Sequence, residues 1–156
     1  MGWHCSDTAH LHFDGVRVPS ANIIGSENEG FPALMANFNT ERLMLAAQAE
    51  ALGRACFEEA LEWAQTRRTF GKRLVDHQVV RHSLVDMVSR LNAMRAMLLA
   101  TARAADAGEA PVAEICQLKN VATDDLEKVA SAAVQILGGM GYAVSALCTA
   151  SLLAPS

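Results

Sequence analysis

Residues 38–48, FNTERLMLAAQ, set a glutamate, Glu41, among residues whose helical spacing assigns them to an apolar stripe. Burial penalises a charged carboxylate, and the same penalty makes it a competent acceptor of a proton from carbon. Two plainer roles compete: an ion pair with neighbouring Arg42, or a side chain that reaches solvent at the edge of its helix. Glu59 falls on the same arc, so periodicity alone does not choose between the two glutamates. A second cluster is TRRTFGK, residues 66–72, followed by DHQ at 76–78. Adjacent arginines at a helix end can offset the helix dipole, or their guanidinium forks can grip a phosphate. The aromatic Phe70 and Gly71 directly after them add weight to an anion or nucleotide site. A third stretch is QILGGMGY, residues 135–142. It is either a helix stop or a place where glycine lets a phosphate or ring lie against the main chain. Metal chemistry is not expected, because none of His4, His10, His12, His77 and His82 has a glutamate three residues before it, as di-iron bundles require.

The elements that must hold these groups follow from the hydrophobic period. Residues 8–18, TAHLHFDGVRV, alternate with period two around Asp-Gly and predict a strand, a turn or bulge, and a second strand. A lone hairpin is marginal in water, so this piece is expected to pair with a sheet outside the chain. From about residue 29 the period becomes helical, with Leu34, Phe38, Glu41, Leu45, Leu52 and Cys56 on one arc, and Glu50, Glu58 and Glu62 off it as solvated positions. This first helix is predicted to end near Arg67. Asp76 offers an N-cap for a second helix, from about His77 to Ala107, with the stripe Leu84, Val88, Leu91, Met94 and Leu98. Gly108 closes it, and Pro111 is well placed to open a third. The third stripe is Ile115, Leu118, Ala122, Leu126, Val129, Ala133 and Ile136, before GGMGY stops the helix. Long helices joined by short connections predict an all-α, antiparallel bundle preceded by a short β segment. The Ala, Val and Ile content of the last helix calls for further partners.

Bulk composition narrows the classes. The 156 residues are 51% apolar and carry a net charge of −4, which suits one globular domain and not a general nucleic-acid binder. Cys5, Cys56, Cys116 and Cys148 lie far apart, with no zinc or disulfide framework, and point to reduced thiols in a cytosol-like compartment. No secretory leader or membrane-spanning run is expected. The final AVSALCTASLLAPS is uncharged and lacks a clear amphipathic period.

Taken together, LHFDGVRVPSANIIGSENEGF, RRTFGKRLVDHQ and QILGGMGY resemble the acyl-CoA dehydrogenase family over about residues 1–142. The resemblance implies residues 1–25 as the end of a middle β-domain and its linker, and 26–142 as most of a C-terminal four-helix bundle. Residues 143–156 would be an aberrant apolar tail, with a truncated or frame-shifted reading as its expected origin. The function implied is FAD-dependent oxidation of an acyl-CoA to the 2,3-enoyl product, with the isolated chain inactive. A non-catalytic helical assembly module is the alternative. Most members carry the base near the chain's end, but a subset resembling the isovaleryl- and long-chain enzymes carries it early in this bundle, as NTERL does. That resemblance selects Glu41 as the base and implies Asn39 and Arg42 beside the acyl-CoA. It also implies Arg67, Phe70, His77 and Gln78, with Gln135, Ile136, Leu137, Gly138 and Gly139, against a FAD held mainly by a neighbouring subunit. A homotetramer, an electron-transferring flavoprotein as partner, and a cytoplasmic location (the mitochondrial matrix in a eukaryote) complete what it implies.

Overall fold

The computed structural model describes residues 9–143. Within them three helices run as α1 (Gly30–Thr66), α2 (Gln78–Asp106) and α3 (Val112–Leu137). A two-stranded antiparallel hairpin, β1 (Arg68–Thr69) and β2 (Lys72–Arg73), links α1 to α2. Short 3-10 turns occupy Ser20–Asn22, Leu74–Asp76 and Gly138–Tyr142. All three helices lie where the apolar period puts them. No helix among the described residues is long and apolar enough to cross a membrane.

The predicted strands near residues 8–18 do not form: residues 9–19 contain no strand, and Leu11, Phe13, Val16 and Val18 are exposed. A strand exists only through its ladder, and the described residues offer this segment none. Thr8, like the uncharged stretch from residue 144 onward, lies outside the described residues.

Helix ends follow local chemistry. Gly108, at φ +82°, takes the left-handed conformation that closes α2. The Glu109 amide then donates to the Ala104 carbonyl at 3.1 Å and the Gly108 amide to Ala105 at 3.0 Å, satisfying carbonyls the helix leaves open. Pro111 sits directly before Val112, where its missing N–H costs nothing. Asp76 does not cap α2; His77 occupies that position without a side-chain capping bond to the helix. The Asp76 carboxylate is instead taken by Arg73, whose guanidinium donates to it at 3.0 and 3.1 Å.

Packing sets the relative directions. Arg95 of α2 lies 4.0 Å from Glu50 of α1, and a Cβ built on Gly53 would come within 2.9 Å of Leu91 Cδ2. Moving forward on α1 therefore moves backward on α2, and Arg90 of α2 bonding Asp125 of α3 at 2.9 Å continues the alternation. The helices form an up-down-up bundle, with α1 and α3 parallel.

The core face of α1 differs from the predicted stripe. Its buried residues are Ala46, Ala49, Glu50, Gly53, Cys56, Ala60 and Ala64, nearly all small. They let α3 approach closely, and large side chains from the other helices fill the space: Leu84, Met87, Leu91 and Met94 from α2, and Leu118, Val129 and Ile136 from α3. Of the predicted arc only Cys56 is buried, while Leu34 and Leu45 remain 47% and 48% exposed. Glu50, expected in solvent, is 9% exposed because it flanks this small-residue face. Arg54 Nε donates to it at 2.9 Å, which supplies the partner a buried carboxylate requires.

Candidate functional site

Glu41 is exposed, against the expectation of a desolvated side chain. At 3.6 residues per turn it lies roughly 100° round α1 from the centre of the buried face. It shares that outer side with Leu34 and Leu45, an apolar strip that α2 and α3 leave uncovered. The ion pair with Arg42 does not form: Arg42 Nη1 donates to Asn39 Oδ1 at 3.3 Å, and its guanidinium lies 5.7 Å from the centre of the Phe38 ring. Asn37 holds Glu41 instead, donating from Nδ2 to Oε1 at 2.8 Å. Sequence reasoning passed over Asn37, although a spacing of four residues on a helix was the available signal. Glu59, the rival on the same arc, is half-buried farther along the helix.

At the other end of α1 stands the hairpin. Arg68 pairs with Arg73 and Thr69 with Lys72, leaving Phe70 and Gly71 as a two-residue turn. Both turn residues have positive φ, +49° and +81°, as a type I′ turn requires. Asparagine or glycine usually fills the first of these positions; an aromatic residue there costs on the order of 1–2 kcal/mol. Phe70 is nonetheless 97% exposed, so core packing does not repay the strain. Backbone strain of this kind clusters at functional sites, which makes Phe70 a candidate. Arg67 is exposed and lies 5.8 Å over the Trp63 ring; among the described residues it makes no ion pair. His77 stands at the foot of the hairpin, Nε2 lying 3.2 Å from the Thr69 hydroxyl and its ring edge-on to Phe70 at 6.3 Å. Gln78 is the exposed first residue of α2. An unpaired guanidinium beside an exposed ring is a donor set that fits an anionic, aromatic cofactor such as FAD.

The third motif lies at the same end. Gly53 is level with Leu126 and Val129 of α3, so Leu137 sits about 14 Å farther along the bundle and Thr66 about 20 Å farther. Gln135, Gly138 and Gly139 are exposed, whereas Ile136 and Leu137 turn into the core and leave only their backbone available. Gly138, at φ +60°, breaks the helix there. Glu41 stands apart from all of these, about 38 Å from the hairpin along α1. Within one copy of the chain Glu41 and the hairpin therefore stand toward opposite ends of α1. Among the described residues no three His, Cys, Asp or Glu side chains gather as metal ligands.

The acyl-CoA dehydrogenase C-terminal domain family matches residues 28–152, a range that runs past Tyr142 into the uncharged stretch. An acyl-CoA dehydrogenase of Bacillus subtilis is 37% identical over 142 residues, covering 91% of this chain and 38% of that protein. The structure of butyryl-CoA dehydrogenase from Megasphaera elsdenii superposes with a TM-score of 0.84 at 31% identity, covering 90% of this chain and 37% of that one. A FAD complex of PigA gives the same TM-score, 0.84, at 26% identity and the same coverages of 90% and 37%. The chain thus spans well under half the length of the relatives it matches.

Proposed function

Because the chain belongs to the acyl-CoA dehydrogenase family through its C-terminal helical domain, we propose that it serves the FAD-dependent oxidation of an acyl-CoA thioester to the 2,3-enoyl-CoA, with Glu41 as the base. The observation that carries this reading is the state of Glu41: a carboxylate with no cation on it, set on an uncovered apolar strip beside Leu34 and Leu45. An acyl chain laid along that strip would displace water from the carboxylate and strengthen it as a proton acceptor. Glu41 then takes the α-proton of the thioester. Bound FAD supplies the acceptor for the hydride that leaves the β-carbon. Asn39 and Arg42, joined by their own hydrogen bond, would contact the acyl-CoA.

Arg67, Phe70, His77 and Gln78, with the backbone from Gln135 to Gly139, would hold the FAD of a neighbouring subunit. The separation between Glu41 and the hairpin supports this division and, with it, a homo-oligomer, a tetramer by the resemblance. Residues 1–25 would lead in from a β-domain, which gives the exposed Leu11 and Phe13 a sheet to join. An electron-transferring flavoprotein is the proposed acceptor of the electrons.

In the intact FAD-loaded parent enzyme, Glu41→Gln should lower turnover roughly a hundred- to ten-thousand-fold while the flavin absorbance band is retained. Arg67→Ala should weaken FAD binding instead. Full activity in the Glu41→Gln form would move the base elsewhere. A folded oligomer that ignores FAD would favour a non-catalytic assembly module.

A further inference from the structure

We infer that Asn37 is a positioning residue for Glu41: its side-chain amide fixes the carboxylate through Oε1 and leaves Oε2 as the oxygen that receives the proton. This inference rests on the proposed role of Glu41 as base. A carboxylate only accepts hydrogen bonds, so the atom of Asn37 that faces it must be the amide nitrogen. That nitrogen lies 2.8 Å from Oε1, one helical turn before the glutamate. Among the described residues Oε2 has no hydrogen-bond partner.

The kind of partner matters as much as its distance. A cation at this place would compensate the negative charge and make the oxygen a much poorer proton acceptor, whereas a single neutral amide orients the group at a smaller cost in basicity. The local structure keeps the nearest cation away. Asn39 and the Phe38 ring engage the Arg42 guanidinium, so two asparagines, at 37 and 39, sort the charged pair apart. An exposed amide–carboxylate contact adds little to a helix already 37 residues long. Its consequence is orientation. A glutamate left to itself samples several rotamers, and proton transfer from carbon needs the accepting oxygen within hydrogen-bond reach and aligned.

The test is kinetic, in the intact FAD-loaded parent enzyme, with butyryl-CoA as the probe substrate. Asn37→Ala should lower kcat about tenfold and leave KM within about twofold, with an unchanged melting temperature because the side chain is exposed. Asn37→Asp, which replaces the donor by a second negative charge, should be worse than Ala. Glu41→Asp provides the control that a structural role would fail. Its shortened carboxylate no longer reaches the amide, so adding Asn37→Ala to it should change kcat less than about twofold. Parent-like kcat in Asn37→Ala, or equal losses in the parent and Glu41→Asp backgrounds, would overturn the positioning role. Parent-like activity in Glu41→Gln would instead overturn the base itself, so the two failures are told apart.

Discussion

Gly141 shows how much a single residue can depend on what packs against it. A Cβ built there would lie 2.6 Å from the Val134 carbonyl oxygen and 2.9 Å from Val134 Cα, both backbone atoms that cannot rotate away. Gly141→Ala must therefore lift the Gly138–Tyr142 turn off α3. The expected loss is about 1–3 kcal/mol, read as a lower melting temperature by circular dichroism. Gly139→Ala, where a Cβ would meet nothing within 4 Å, is the control and should be nearly neutral for stability. Three glycines in GGMGY announce a helix stop. Which of them is wedged against the helix depends on the path of the turn, and pattern does not carry that. Glu50 gives the same lesson, since only the true centre of the α1 core shows it to be buried with Arg54 beside it.

At the scale of elements, helix positions were legible because each helix has its own stop chemistry: Gly108 for α2 and Gly138 for α3. The face that α1 buries was not. Hydropathy ranks Leu34 and Leu45 above alanine, yet α3 comes closest where side chains are smallest, and closeness decided the core. The hairpin was read as an interruption; its ladder became visible only when Arg68 met Arg73. That like-charged pair is offset by Asp76, whose carboxyl the Arg73 guanidinium bonds and holds below its ordinary value. A carboxyl lowered in the folded state stabilises at pH above its unfolded value and loses that contribution as pH falls through the folded one. Amide exchange at Thr69 and Lys72, corrected for intrinsic rates, should therefore accelerate below about pH 4, and Asp76→Asn should abolish this acid-dependent step.

Across the whole molecule, α1 separates two sets of groups that chemistry would have to unite. If each active centre takes Glu41 from one subunit and the hairpin from another, Glu41→Gln and Arg67→Ala should complement each other. Oligomers reassembled from the two variants would contain centres with both residues intact, and activity should return to a substantial fraction of the parent's although neither variant has it alone. Mixtures as inactive as their components would show that both groups serve the same centre from the same chain. The separation of the motifs was legible in the sequence, because the helical period already ran unbroken from about residue 29 to Arg67, as α1 does from Gly30 to Thr66; the ladder that presents Phe70 was not.

The alanine, glycine and cysteine seam of α1 inverts the usual sense of a conservative replacement. A change from Ala60 to leucine keeps the position apolar and improves no contact, since the position is already sealed. In a saturation library, enlarged aliphatics along Ala46, Ala49, Gly53, Ala60 and Ala64 would be purged as firmly as charges. Leu34 and Leu45, more oily by any scale, would tolerate shortening until a neighbour came to sit on them.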